Sequence, residues 1–192
     1  MKIGIDLDET TLNLIDPLIE YHKEKTGKKL EREDFESFYL SDILSISKEE
    51  EWIYLDEFYN SDYFDKILPL QNSINVLKEL SKNHEIFFIT ARPENWREKT
   101  EKWLSKFVDF PHKLILTSNM HKNEPGKKKF EVCEEKSIDI FIEDDHNYAL
   151  GCANVGVKTF LLNKPWNRKI NHKNITRVDN WNEIHGILKN NF

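Results

Sequence analysis

The sequence predicts an α/β fold, a mainly parallel sheet flanked by helices on both faces, with a small helical module inserted after the first strand. Three observations predict it. Short apolar runs alternate with stretches of helical periodicity, which is the pattern of right-handed crossover units. One run, Glu85-Ile86-Phe87-Phe88-Ile89-Thr90, is continuously apolar between its ends, as in a strand buried on both faces. The charge is also uneven: residues 13–69 hold 15 acidic and 7 basic residues, net −8, against 19 acidic and 21 basic elsewhere, net +2.

The elements follow in order. Lys2-Ile3-Gly4-Ile5 is a strand running into Asp6-Leu7-Asp8-Glu9-Thr10-Thr11. Leu14, Ile15, Leu18, Ile19 and Tyr21/His22 then form one helical stripe, punctuated by Thr26-Gly27. Several short helices are expected from Leu30 to Leu68, where Ser47 followed by Glu50 makes a capping box. Ten of the chain's 23 aromatic residues lie between 13 and 69, and most are expected to build that module's own core, with one or two facing a ligand. After Pro69 come a helix over Ser73–Asn83, the strand 85–90, and a helix opened by Pro93 and carried to Phe107. Lys113–Thr117 is a third strand, and Pro125-Gly126 precedes a helix to about Lys136. Ile138–Ile142 is a fourth strand, followed by a helix from His146 to Val155, a fifth strand over Val157–Leu162 and a last helix over Asn180–Leu188.

Composition narrows the function. At 192 residues, 39% hydrophobic and 32% charged, the chain has the make-up of a soluble globular protein with a substantial core. Neither a signal peptide nor a membrane-spanning run is evident, so a cytoplasmic protein is expected. Seven scattered histidines and two cysteines without metal spacing disfavour zinc, and Cys133 and Cys152 read as small core residues. A net charge of −6 argues against binding duplex nucleic acid but leaves a single nucleotide open.

The chemistry gathers at strand ends. In a parallel sheet the carboxyl ends of all strands open on one edge, so Asp6 and Asp8, Thr90, and Glu143-Asp144-Asp145 converge although far apart in sequence. Asp6 and Asp8 point to one face of an extended strand. Several carboxylates around one point, with no His or Cys among them, favour a hard cation, and Mg2+ above others. The Thr90 hydroxyl and the backbone N–H groups that follow it, from Ala91 on, are placed to hold an anion at a helix start. Lys127-Lys128-Lys129 opens a predicted helix, where positive charge is disfavoured unless one lysine reaches an anion at the acidic cluster.

These four elements together resemble the haloacid dehalogenase-like superfamily of aspartate-nucleophile phosphohydrolases. Asp6-Leu7-Asp8-Glu9-Thr10 matches its first motif, Thr90 the second, a lysine of 127–129 the third and Glu143-Asp144 the acidic fourth. The match covers residues 1–12 and 70 to about 165. It implies a Rossmann-like core over 1–12 and 70–192, with residues 13–69 in the position of a helical cap. Ile89-Thr90-Ala91-Arg92-Pro93, Phe141-Ile142-Glu143-Asp144-Asp145 and Leu162-Asn163-Lys164-Pro165-Trp166-Asn167 are similar, more narrowly, to the 5'(3')-deoxyribonucleotidase-like branch and its bacterial nucleotidase relatives.

The resemblance implies that Asp6 attacks phosphorus and Asp8 moves protons. It further implies that Asp6, Asp144 and the backbone carbonyl of Asp8 hold Mg2+, and that Thr90 and a lysine neutralise the phosphate. Lys129 is favoured because it leads directly into the apolar helix start Phe130-Glu131-Val132-Cys133, with Lys128 next. Glu143 is expected to hold a metal-bound water or orient the lysine. Asp145 either duplicates that part or caps a helix, and Arg92 either contacts substrate or sits in a surface ion pair. The expected activity is hydrolysis of a small phosphate monoester, foremost a nucleoside or deoxynucleoside monophosphate. The alternatives are a sugar phosphate or similar metabolite, and a catalytically silent binding or regulatory module.

Overall fold

A computed structural model describes residues 1–118 and 126–191. Strand β1 (Lys2–Ile5) passes through a short loop to β2 (Leu12–Asn13), followed by α1 (Ile15–Thr26), α2 (Leu40–Leu44), α3 (Lys48–Tyr59) and β3 (Leu68–Pro69). Then come α4 (Ser73–Leu80), β4 (Glu85–Thr90), α5 (Arg97–Phe107), β5 (Lys113–Leu116), α6 (Lys129–Lys136) and β6 (Ile140–Glu143). The chain ends with α7 (His146–Asn154), β7 (Lys158–Leu162), β8 (Ile175–Val178) and α8 (Trp181–Asn191). Six strands form one sheet in the order β5-β4-β1-β6-β7-β8, with every neighbouring pair parallel. The α/β class is as the sequence predicts. The order runs outward in both directions from β1, so ligand-bearing loops are expected beyond the carboxyl ends of β4, β1 and β6.

Alternation along the strands divides the core between the two faces of the sheet. Ile86 and Phe88 of β4, Ile3 and Ile5 of β1, and Ile140 and Ile142 of β6 pack on one side. Phe87, Ile89 and Phe141 pack on the other, against Val132 and Cys133 of α6 and Cys152 of α7. The two cysteines are buried core residues with sulfurs 3.7 Å apart, as their lack of metal spacing suggests. Gly4 lies in β1 where a Cβ would stand 2.7 Å from Phe141 Cδ2 and 3.2 Å from both Ile138 and Ile89. Gly4→Ala is therefore expected to cost about 1–3 kcal/mol through overpacking, read as a lower urea midpoint at unchanged slope. An unchanged midpoint would show that the strand can move aside.

Between β2 and β3 the chain builds α1, α2 and α3, and the antiparallel pairing of Leu12 with Pro69 and Asn13 with Leu68 ties the two ends of this segment together. The Glu9 carboxylate accepts the Leu14 and Ile15 N–H groups at 2.8 and 2.9 Å and so caps the start of α1. Gly27 ends α1 at φ 72°, a left-handed conformation that glycine adopts without a Cβ clash. The Ser47/Glu50 capping box is present at α3. Phe35, Phe58, Tyr59 and Phe64 of the segment are buried, whereas Phe38 and Tyr39 are exposed.

Three features differ from the sequence expectation. β8 was not predicted, because Ile175-Thr176-Arg177-Val178 is short, lies at the sheet edge and carries an arginine. The two-residue strands β2 and β3 are below the length at which alternation is readable. The helix after Thr90 starts late: a 3-10 turn spans Glu94–Trp96 and α5 begins at Arg97. Pro93 drives the residue before it away from helical geometry, so Ala91 and Arg92 are not the first turn of a helix. Pro125, read as a helix-leading residue, lies outside the described residues. Among the described residues no helix is long and apolar enough to cross a membrane.

Candidate active site

The site begins where β1 ends. The Asp6 N–H donates to the Ile142 carbonyl at 3.0 Å and extends the β1–β6 ladder by one residue. The chain then folds back on itself: Thr11 and Leu12 N–H groups both donate to the Leu7 carbonyl, and Glu9 sits at φ 53°. The Thr11 hydroxyl donates to the Asp6 carbonyl at 2.7 Å, and Trp181 Nε1 of α8 donates to the Thr10 carbonyl at 2.8 Å. Every bend of the loop that carries Asp6 and Asp8 is thereby held from behind.

Asp6 and, from the end of β6, Glu143 and Asp144 present carboxylate oxygens within 4.8 Å of one another, all buried. Lys129, the first residue of α6, reaches into this cluster. Its Nζ donates to Asp6 Oδ1 at 2.6 Å and Glu143 Oε2 at 2.9 Å, and stands 4.3 Å from the centre of the Tyr148 ring. Glu143 Oε1 accepts the backbone N–H groups of Asp144 and Asp145, both at 3.1 Å. Asp144 receives the Thr10 hydroxyl at 2.9 Å and Trp166 Nε1 at 3.1 Å, and its own carbonyl accepts from Asn167 at 2.7 Å.

Burial dominates the electrostatics. It pushes the Asp6 carboxyl up to about 7 against the opposing pull of Lys129, and it raises Glu143 against the same pull. Burial, with Glu143 and Asp6 adding to it, holds Asp144 well above the usual carboxylate range. Burial also works against the Lys129 ammonium, but Asp6 and Glu143 outweigh it and hold that group well above its ordinary value. Among the described residues, this cluster of three carboxylates is bonded to one ammonium, an excess of two negative charges when all are ionised. A divalent cation with a preference for oxygen ligands fits that excess and that donor set.

Asp8, two residues past Asp6, lies in a different environment. Arg92 Nε donates to Asp8 Oδ2 at 2.9 Å and Nη2 to Oδ1 at 2.6 Å, and the Tyr59 hydroxyl donates to Oδ1 at 3.2 Å. The Arg92 and Tyr59 side chains are fully buried. Burial raises the Tyr59 phenol well above its ordinary value, so it keeps its proton and acts as a donor.

The structure brings Asp6, Glu143, Asp144, Lys129 and, from the neighbouring strand end, Thr90 to one edge, with Asp8 alongside. Thr90 Oγ1 accepts the Arg92 N–H at 3.3 Å, and Ala91 is buried beside it. Of the two parts expected of Glu143, the contact with Lys129 is the one this geometry bears on. Asp145 is a helix cap, its Oδ1 accepting the Asn147 and Tyr148 N–H groups at 2.8 and 2.9 Å. Arg92 is not in a surface pair: its partner is Asp8 and the pair is internal. Lys128 is exposed and outside the acidic cluster, and Lys127 pairs with Glu135 at the surface. The sequence reading gave no role to Tyr59, nor to Trp166 and Asn167 although both stand in the motif at 162–167, and it did not foresee the Glu9–Lys164 pair at 2.9 Å. Trp166 and Asn167 follow the end of β7, so the strand-end rule that selected Thr90 also reaches them. Tyr59 has no such signal, since it lies at the end of a helix in another segment.

A parallel sheet with an acidic cluster and a buried lysine beyond its central strand ends is the arrangement that the resemblance to the haloacid dehalogenase-like superfamily implies. A hydrolase of the haloacid dehalogenase-like family from Streptococcus pneumoniae shares this fold, with a TM-score of 0.68 at 15% identity over 97% of each chain. The chain belongs to the family described as "5' nucleotidase, deoxy (Pyrimidine), cytosolic type C protein", whose sequence model matches residues 1–191. A nucleotidase of Clostridium acetobutylicum is 30% identical over 195 residues, covering 98% of this chain and 93% of that protein. A 5'(3')-deoxyribonucleotidase of Bacillus subtilis is 27% identical over 190 residues, 95% of each chain.

Proposed function

We propose that this hydrolase acts on nucleoside and deoxynucleoside 5'-monophosphates through an aspartyl-phosphate on Asp6, with magnesium, and that residues 13–69 serve as a cap over a core formed by 1–12 and 70–192. The observation that carries this reading is the separation of the two strand-end carboxylates. Asp6 lies with Lys129, Glu143 and Asp144, whereas Asp8 is paired with Arg92 and Tyr59. Two carboxyl groups in unlike environments take unlike roles.

A carboxylate oxygen of Asp6 attacks phosphorus and the ester P–O bond breaks, while Asp8 gives a proton to the departing oxygen. Asp8 then takes a proton from the water that attacks the aspartyl-phosphate, which releases inorganic phosphate and restores Asp6. Lys129 offsets charge at the attacking carboxylate, and the Thr90 hydroxyl and the Ala91 backbone face the phosphate. Asp6, Asp144 and the Asp8 carbonyl, with Glu143 beside them, would hold a magnesium ion, which supplies positive charge that lets an anionic phosphate approach an anionic nucleophile. Exposed Phe38 and Tyr39 support a nucleotide over a sugar phosphate. Phe38 stands 6.4 Å from Tyr148, which lies against Lys129, so flat rings lie within reach of a base whose phosphate sits at Asp6.

The test is a panel of nucleoside 5'- and 3'-monophosphates and sugar phosphates, with and without magnesium, in the wild type and Asp6→Asn. Magnesium-dependent turnover with kcat/KM at least about tenfold higher for 5'-nucleotides is expected, the equivalent of one well-made stacking contact. Equal rates for nucleotides and sugar phosphates would refute the substrate assignment, and turnover by Asp6→Asn would refute the covalent step.

A further inference from the structure

We propose that Arg92 and Tyr59 are positioning residues for Asp8, filling three lone-pair sites of its carboxylate and turning the fourth, on Oδ2, toward the leaving oxygen of the substrate. The proposal rests on the reading of Asp8 as the proton donor. An ionised carboxylate accepts at about four lone-pair sites. Arg92 takes one on each oxygen, at 2.9 and 2.6 Å, and the Tyr59 hydroxyl takes the second on Oδ1 at 3.2 Å. Among the described residues nothing donates to the second position on Oδ2, which is where Asp8 would carry the proton it gives. The Asp8 side chain retains 19% exposure while that of Arg92 has none, so the carboxylate alone of this pair meets the accessible side.

Both positioning groups are themselves fixed. Arg92 Nη1 donates to the Thr100 hydroxyl at 3.0 Å, which donates to the Trp96 carbonyl at 2.9 Å. The guanidinium carbon lies 5.0 Å from the Tyr59 ring centre and 5.6 Å from that of Phe64, and a charged fork held over rings has few orientations open to it. The Tyr59 ring stacks on Trp96 at 3.8 Å, and Trp96 stacks on Trp52 at 5.1 Å. Trp96 Nε1 donates to Asp56 Oδ1 at 2.9 Å, and Lys99 Nζ to the Tyr59 carbonyl at 2.7 Å. The end of α3 is thus fastened to the segment that carries Arg92, and the orientation of Asp8 depends on both. A buried ion pair contributes little net stability over well-packed apolar groups, so stability alone gives this arrangement a weak reason to exist.

Leaving-group chemistry separates positioning from structural support. A nucleoside 5'-monophosphate releases an alkoxide, which needs a proton as it departs; p-nitrophenyl phosphate releases a stabilised aryloxide, which does not. kcat/KM covers the steps through loss of the leaving group, so it isolates the donor role. Arg92→Met is expected to lower kcat/KM for the nucleotide about 100-fold, within the range of a lost general acid. Arg92→Lys, which keeps charge but not the fork, is expected to lose nearly as much. Tyr59→Phe keeps the stacked ring and is expected to lose about fivefold, one hydrogen bond's worth. For p-nitrophenyl phosphate each variant is expected to stay within about threefold of wild type, because no proton is required there. Parallel losses on both substrates in Arg92→Lys and Tyr59→Phe would overturn the proposal, and these two decide the matter if Arg92→Met does not fold. Failure of the underlying reading looks different: Asp8→Asn would then keep wild-type kcat/KM for the nucleotide or lose it equally on both substrates, whereas a true donor loses it on the nucleotide alone.

Discussion

Lys129→Met is expected to lower the melting temperature at pH 8 by about 8–16 °C, the equivalent of about 4 kcal/mol in a chain of this size, and to reduce kcat/KM by about a thousandfold or more, as loss of a transition-state charge partner does. The substitution preserves length and apolar stem. It removes the ammonium bonded to Asp6 and Glu143, at 2.6 and 2.9 Å, and leaves those carboxylates buried with less compensation. Lys129 is the main influence opposing the upward shift of Asp6, so its loss drives that group higher still. At pH 5.5 the carboxylates can take up protons in place of the lysine, and the difference from wild type narrows. Lys127→Met serves as the control: Lys127 and its partner Glu135 are both exposed, and an exposed pair contributes about 0–1 kcal/mol. Equal melting temperatures for Lys129→Met and wild type at pH 8, or a gap that fails to close at pH 5.5, would mean that the buried charges are balanced in another way.

That Lys129 was legible in the sequence, and Arg92 was not, follows from the kind of signal each leaves. Lys129 stands directly before the apolar run Phe130, Val132, Cys133, so a helix that buries those residues carries the lysine toward the sheet edge with it. Arg92 is one residue from Thr90, but a charged side chain is ordinarily solvated, and nothing local indicates that Asp8 will meet it inside the protein. The central strands β1, β4 and β6 were readable because strands buried on both faces are continuous apolar runs, and their polar ends mark the site. β8, at the edge, has no such run. The pairing of β2 with β3 and the hydrogen bond from Tyr59 to Asp8 join residues more than 50 positions apart, and only tertiary structure brings them together. The site was thus readable where one strand end supplies each group, and unreadable where a second segment closes over it.

Magnesium is expected to stabilise the protein much more at pH 8 than at pH 5.5, with melting followed at both values with and without the ion. The sign follows from the shifts. Burial pushes the Asp6 carboxyl up to about 7 in the folded chain, from an ordinary 3.8, and moves Asp144 and Glu143 in the same direction. A carboxyl whose folded pKa is raised holds its proton in the native state at a pH where the unfolded chain has already lost it. The stability this group contributes is fully present below about pH 4 and is lost as pH rises through about 7, by linkage a few kcal/mol for a shift of this size. The metal-free protein therefore loses stability across that window as the charges of the acidic cluster develop. The same deprotonation creates the oxygen ligands a divalent cation needs, so protons and magnesium compete for one set of atoms. At pH 8 the ion meets ionised carboxylates and restores what their repulsion removed; at pH 5.5 it must displace protons first and gains less. Asp144→Asn removes one of those carboxylates and is expected to shrink the magnesium-induced shift at pH 8 while making the metal-free protein less sensitive to pH. A magnesium shift of the same size at both pH values would place the ion elsewhere than among Asp6, Glu143 and Asp144, and metal-free stability that rises from pH 5 to 8 would mean that burial does not hold these carboxyls protonated in the folded chain.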